Sequence, residues 1–163
     1  MFLFVAGRKF SSFSSNSDTR FQQGLFEGGP LASKGIVMAN AKTLVENIIE
    51  SADSAMKNRS IAATLRFGHD GNVIPLLALL QIENFDVAVA GPAEVYKHWC
   101  DFKATPMASN VQLVFFENKS GDVLVKFLHN EKEVHIPVKT DIWPYYHWNE
   151  VKEYYQKRLS ALP

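Results

Sequence analysis

The sequence has one cysteine, no excess charge of either sign and no long apolar run, and each of these absences excludes a class of protein. Cys100 cannot form an intramolecular disulfide, and nothing around it indicates the basic setting that stabilises a thiolate, so we predict a structural thiol. Basic and acidic residues number 17 each, so no global field attracts nucleic acid or an anionic membrane. No stretch approaches the roughly 20 apolar residues that span a bilayer.

The 163 residues suffice for about one domain with a core of ordinary size, since 47% are apolar and 12% are aromatic. The apolar run from Met1 to Ala6 is too short for a signal-peptide core, and Arg8 and Lys9 follow it rather than precede it, so no export signal is predicted. Serine and glycine are frequent up to residue 30. This composition predicts a poorly ordered or loosely packed segment over residues 1–30.

Hydrophobic periodicity predicts a helix, a strand and a second helix in the first half of the chain. Apolar residues recur at helical spacing from about Asn40, the predicted cap, to Met56. Ile61–Phe67 is short, β-prone and mostly apolar, which is typical of a buried strand. The second helix is predicted to end at about Leu80, with Pro75 tolerated because it lies in or near the first turn.

In the second half of the chain, the sequence pattern predicts a helix over Pro92–Lys103, then a hairpin of two strands, then a terminal helix. Val111–Phe116 and Asp122–Leu128 read as two strands joined by a turn rich in Asn, Ser and Gly. Glu133–Val138 is a candidate third strand, and Trp148–Leu159 is a polar amphipathic helix. Together with the first half, these elements predict an α/β fold.

The junction between the first strand and the second helix carries Phe67-Gly68-His69-Asp70-Gly71-Asn72. A His-Asp pair in the first turn of a helix lies where free N–H groups and the positive dipole end favour an anion, so a phosphate is predicted to bind there. The structural alternative is that the pair is a helix cap or a surface feature. For Arg66, alternation along the strand favours a structural or solvent-facing role over contact with phosphate.

This turn resembles the Gly-His-Asp-x-Asn turn of the histidine acid phosphatases, which hydrolyse phosphomonoesters without a metal or a cofactor. The resemblance implies that His69 binds phosphate, that Asp70 protonates the leaving alcohol as general acid, and that Asn72 contributes to substrate binding. Such an acid accelerates the loss of a poor leaving group by about 100-fold to 10,000-fold. The inositol-polyphosphate enzymes of this family often show His-Ala-Glu in place of His69-Asp70-Gly71, which implies an acid of different reach.

Two further segments resemble the same family. Residues 106–116 are similar to the strand that leads away from the site, and Lys34–Met38 is similar to the bacterial inositol-polyphosphate or phytase branch. The resemblance covers about residues 25–158. It implies a parallel α/β core with a mostly helical cap, of which residues 31–163 would be the C-terminal portion, in a family whose members are typically periplasmic or secreted.

In that family the nucleophilic histidine lies in an Arg-His-Gly-x-Arg motif, which this sequence lacks. The resemblance therefore implies part of a phosphomonoester hydrolase, inactive on its own. Its partners would be a phosphorylated small molecule, such as an inositol phosphate, and the missing N-terminal half. The strand Ile61–Phe67 would then pair with strands encoded before Met1, which predicts exposed sheet edges and apolar faces. The alternative function is a non-enzymatic module that binds an anion such as an inositol phosphate.

Two other groups of residues were weighed as sites. The run Trp143-Pro144-Tyr145-Tyr146-His147-Trp148 is either a stacking platform for a ligand or a packing cluster, and its place beside a terminal helix favours packing. Metal binding is not predicted, because His129 and His135 fall in or beside strands and no two histidines have ligand spacing.

Overall fold

The computed structural model of the protein describes residues 2–8, 39, 41–59, 61–85 and 101–162. The strands in these residues are β1 (Phe2–Arg8), β2 (Ala63–His69), β3 (Asn110–Glu117), β4 (Val123–His129), β5 (Lys132–Glu133) and β6 (Tyr146–His147). The helices are α1 (Lys42–Asn58), α2 (Asp70–Leu80), α3 (Asp101–Ala104) and α4 (Trp148–Ser160).

The strands form one mixed sheet in the order β2-β1-β3-β4-β5, and β6 pairs with β4 beside this path. β1 runs parallel to β2, whereas the pairs β1–β3, β3–β4, β4–β5 and β4–β6 are antiparallel. The predicted α/β class is confirmed, but the described sheet is mostly antiparallel rather than the parallel core that the family resemblance implies. Two parallel strands need a long connection, and the segment that joins β1 to β2 along the chain contains α1. Antiparallel strands can be joined by short turns, as β3, β4 and β5 are.

The first helix forms where its apolar spacing predicts, and it buries one face. The buried residues of α1 are Val45, Ile48, Ile49, Ala52 and Ala55. Its cap position is Ala41, with no side-chain cap bond, and the predicted cap Asn40 lies outside the described residues. The helix ends at Asn58. The residue that follows, Arg59, adopts a left-handed conformation at φ 49° and donates its N–H to the Ala55 carbonyl.

The second helix is apolar around its circumference, as expected of a helix with neighbours on several sides. The buried residues of α2 are Val73, Ile74, Pro75, Leu76, Leu77, Leu79 and Leu80. Side chains from α4 satisfy its last carbonyls: the Tyr155 hydroxyl donates to Leu80 O at 2.7 Å, and Arg158 Nε donates to Leu79 O at 3.0 Å. Pro75 is the sixth residue of α2, so it lies in the second turn rather than the first.

The strand Ile61–Phe67 was predicted to be buried, and this prediction is wrong. β2 starts two residues later and alternates between exposed and half-buried side chains, with Leu65 57% and Phe67 80% exposed. Its partner is β1 of this chain rather than a strand encoded before Met1, which corrects a second prediction. β2 lies at the end of the described sheet, so the predicted exposure of a sheet edge is confirmed. Helices α1 and α2 contact one face of β2, and the apolar side chains Leu65 and Phe67 on the other face are exposed, as also predicted.

The hairpin and the terminal helix are confirmed as β3, β4 and α4. The candidate strand Glu133–Val138 is wrong in extent, since only Lys132–Glu133 pairs with β4. Most of the helical candidate Pro92–Lys103 lies outside the described residues, as do Cys100 and Lys34–Met38. The part of the candidate that is described, Asp101–Lys103, is helical and belongs to α3. Of residues 1–30, the structure describes 2–8, which form β1, so the loose packing of the rest stays a prediction.

The aromatic run 143–148 serves packing for the most part. Tyr146 and Trp148 are buried, and the Trp148 ring meets Phe115 edge to face with centroids 4.9 Å apart. Trp148 also donates from Nε1 to Asp53 Oδ1 at 2.9 Å, which ties α4 to α1. Trp143 differs, because it is half exposed and stacks on His135 at 4.8 Å. Within the described residues, no helix combines the length and apolarity needed to cross a membrane.

His129 makes the stability of the fold depend on pH. Its ring is buried, Nε2–H donates to Ala104 O at 2.7 Å, and the Phe85 ring meets it edge to face. Burial lowers the pKa of His129 below its usual 6.5, so the unfolded chain binds the proton more readily than the folded one. Stability should therefore fall as the pH drops through 6.5 towards the lowered pKa.

We expect the urea midpoint of the wild type to be lower at pH 5 than at pH 7.5, and His129→Gln to flatten that dependence because it removes the titrating ring. His135→Gln is the matched control, since His135 is exposed and should leave the slope unchanged. An unaltered pH dependence in His129→Gln would contradict the assignment.

Candidate functional site

The strand-to-helix junction positions His69 and Asp70 as the sequence predicts. His69 is the last residue of β2 and the cap of α2, with an extended backbone at φ −101° and ψ 169°. Asp70 is the first residue of the helix, so both side chains leave the chain where the N–H groups of the first turn are free of helical partners. The sequence Gly68-His69-Asp70 thus places an imidazole and a carboxylate side by side at a site suited to an anion.

Asn72 holds this junction in shape. Its Oδ1 accepts the His69 N–H at 3.2 Å, which satisfies a donor that the helix itself cannot. A Cβ at Gly68 would lie 3.2 Å from that same Oδ1, so the missing side chain allows the strand and the first helical turn to approach closely. Asn72 therefore has an observed role as a cap, and its predicted contact with substrate stays a prediction.

The Asp70 carboxylate is anchored and open to solvent. Its Oδ1 accepts the Gly71 N–H at 2.8 Å, and the side chains of His69, Asp70 and Asn72 are all exposed. The second carboxylate oxygen has no partner among the described residues. The described part of the chain therefore leaves Asp70 exposed at the turn.

The strand β1 brings a further basic residue level with this site. In the parallel register of β1 and β2, Gly7 pairs with Gly68 and Arg8 pairs with His69. The carboxyl ends of the two strands therefore meet at one edge of the sheet, next to the start of α2. Sequence analysis missed this placement, because it weighed the run from Met1 to Ala6 only as an export signal, although Phe2, Leu3, Phe4 and Val5 are β-prone.

Arg66 lies away from the His-Asp pair. Its Nη2 donates to Asn47 Oδ1 at 2.6 Å and to Ser51 Oγ at 2.7 Å, both on α1. Alternation along β2 puts Arg66 on the half-buried face and His69 on the exposed face. The structural role favoured by the sequence is the one observed. Among the described residues, no group of three or more potential metal ligands lies together.

The α/β sheet, with a strand that ends in a His-Asp pair at a helix N-terminus, has a fold like that of the histidine acid phosphatases. Three similar solved structures are of the multiple inositol polyphosphate phosphatase of Bifidobacterium longum. Its complex with inositol hexasulfate matches with a TM-score of 0.61 and 26% identity, over 71% of this chain. The phosphate complex matches with a TM-score of 0.60 and 26% identity over 71% of this chain. The apo form matches with a TM-score of 0.58 and 27% identity over 69% of this chain. The resemblance derived from the turn is therefore confirmed at the level of fold.

The match spans about a quarter of the neighbours' length: 26% of the two ligand complexes and 25% of the apo form. No family model matches the sequence, and no curated protein matches it. The phosphatase relationship rests on these structures together with the His-Asp turn.

Proposed function

We propose that this chain contributes the phosphate-binding His69 and the general acid Asp70 to a phosphomonoester hydrolase of the histidine acid phosphatase type. The observation that carries the proposal is the placement of the pair at the β2–α2 junction, in a fold shared with an inositol polyphosphate phosphatase. The substrate class is a phosphorylated small molecule, with inositol phosphates first, since the neighbour structures hold phosphate and inositol hexasulfate.

The proposed chemistry assigns one task to each side chain. His69 donates an N–H to a nonbridging phosphate oxygen, where the dipole of α2 also favours negative charge. Asp70 transfers its proton to the alkoxide as the bond from phosphorus to the leaving oxygen breaks, which removes the need to expel an unprotonated alkoxide. Asn72 keeps the turn rigid through its bond to the His69 N–H. None of these steps uses a metal.

The sequence lacks the motif that carries the nucleophile in that family. None of its histidines stands between Arg and Gly, so no Arg-His-Gly motif supplies a group to attack phosphorus. We therefore infer that the isolated chain does not turn over, and that hydrolysis needs an N-terminal half carrying that motif.

The binding half of the proposal is testable on the isolated chain. We expect inositol hexasulfate to bind the wild type when it is titrated by calorimetry at pH 6. His69→Ala should weaken this binding about 10-fold, because one hydrogen bond to a charged group contributes about 1.5 kcal/mol. His135→Ala is the matched control, since His135 is exposed and stacks on Trp143. Equal affinity of the wild type and His69→Ala would remove His69 from the site.

A second candidate function is a non-enzymatic module that binds inositol phosphate or a similar anion. The absence of an Arg-His-Gly motif favours it, together with a buried core to which α1, α2, β3, β4 and α4 all contribute. Both candidates predict binding without turnover by the isolated chain. They differ when an N-terminal half is supplied, because only the first predicts hydrolysis that depends on Asp70.

A further inference from the structure

A cavity of about 510 Å³ opens between α1 and α2, beside β2. Its lining combines apolar and polar groups: Leu44, Phe67 and Pro75 on the one hand, and Thr43, Arg66 and Asn72 on the other. Gly71 also borders it, and a Cβ added there would meet nothing within 4 Å, so the space at the start of α2 is open. We call this cavity the α1–α2 groove.

The α1–α2 groove contains a guanidinium whose charge has no counter-ion among the described residues. Every hydrogen-bond partner of Arg66 among the described residues is neutral: Asn47 Oδ1, the Asn47 carbonyl and Ser51 Oγ, all reached by Nη2. Nη1 is buried and has no hydrogen-bond partner. An unsatisfied buried donor on a charged group is costly, and a native structure seldom keeps one without a reason.

Removal from water disfavours the charge on Arg66, and burial accordingly lowers its pKa. Because arginine stays protonated in proteins, the guanidinium remains charged and is left with neutral partners. An oxyanion in the groove would supply the negative charge that Arg66 lacks among the described residues. Arg is well suited to this, since its planar fork donates two parallel N–H groups to one carboxylate.

We propose that the α1–α2 groove is a second anion site, with Arg66 as its cation and a small organic carboxylate as its ligand. The carboxylate pairs with the Arg66 guanidinium, and the apolar part of the ligand lies against Leu44 and Pro75. A polyphosphate does not suit the groove, because Arg66 is the one basic residue among the described residues that line it, and the others are apolar or neutral. The groove is thus chemically distinct from the phosphate site at His69.

Benzoate is the probe, because it joins one carboxylate to one apolar ring. We expect saturable binding by the wild-type chain in calorimetry at pH 7, and at least 10-fold weaker binding of benzyl alcohol, which keeps the ring and lacks the charge. Arg66→Gln should weaken benzoate binding at least 10-fold. The matched control is Arg59→Gln, which removes an exposed arginine paired with Glu117 and should change affinity less than 2-fold.

Gly71→Leu tests the groove without touching Arg66 or its partners. The new side chain enters open space, and leucine favours the helical conformation more than glycine, so the variant is expected to fold. It should weaken benzoate binding at least 10-fold by filling the groove, even where Arg66→Gln proves unstable. His69→Ala should leave benzoate binding unchanged, which separates this site from the proposed phosphate site.

Four results would overturn the proposal: no saturable binding of benzoate by the wild type, equal binding of benzyl alcohol, full affinity in folded Arg66→Gln, or full affinity in Gly71→Leu. Loss of benzoate binding in His69→Ala would place the ligand at the strand-to-helix junction instead, and would equally overturn it.

Discussion

Replacing Leu77 by alanine is expected to lower the free energy of unfolding by about 3 kcal/mol, within the range of about 2 to 5 kcal/mol measured for such changes in cores. Leu77 is 0% exposed and belongs to α2, the helix with buried residues on every side of its axis. The change removes several buried carbons and leaves a cavity that helices α1 and α4 and the sheet can only partly fill. Urea unfolding followed by circular dichroism measures the shift of the midpoint.

Leu65→Ala is the matched control for this prediction, since the same atoms are removed from a side chain that is 57% exposed on β2. We expect it to change the free energy of unfolding by less than about 0.5 kcal/mol, as is usual for exposed positions. A comparable loss in both variants would mean that the exposed face of β2 is covered in solution.

Asp70→Asn is expected to reduce the hydrolysis rate by about 100-fold to 10,000-fold once an N-terminal half with an Arg-His-Gly motif is supplied. Asparagine keeps the size of the side chain and an oxygen that can accept the Gly71 N–H, but it cannot release a proton to the leaving oxygen. The readout is phosphate release from inositol hexakisphosphate at acidic pH.

A second substrate makes the test specific to proton donation. With p-nitrophenyl phosphate the leaving group departs readily without a proton, so the loss in Asp70→Asn should be much smaller than with the inositol phosphate. Asp141→Asn, an exposed carboxylate elsewhere, should leave both rates unchanged. Equal losses with both substrates would contradict the role of general acid, and no hydrolysis by the reassembled protein would favour the anion-binding module.

Local sequence pattern predicted the elements that depend on near neighbours. Helix α1 follows from its helical spacing of apolar residues, and β3 and β4 follow from two β-prone runs joined by a tight turn. Their hydrogen bonds close within or between adjacent segments, so the sequence contains most of the information that fixes them. The His69-Asp70 junction was predictable for the same reason, because a strand, a glycine and a helix start follow one another directly.

Placements that bring distant segments together were not predictable in this way. β1 lies between β2 and β3, and its pairs with both join residues far apart in sequence, such as Arg8 with His69. The orientation of Arg66 towards Asn47 and Ser51, and of His129 towards Ala104, likewise depends on how helices and sheet pack. A sequence pattern assigns a residue to a face but does not identify the surface that covers it.

The sequence by itself determined the class of fold, the helices α1, α2 and α4, the β3–β4 hairpin and the His-Asp turn, because each follows from local periodicity and turn chemistry. Tertiary structure alone decided that β2 lies at the end of the described sheet with Leu65 and Phe67 exposed, that β1 lies beside it, and that Arg66 has only neutral partners among the described residues. These features depend on which surfaces meet, and contacts between distant segments are set only when the chain packs as a whole.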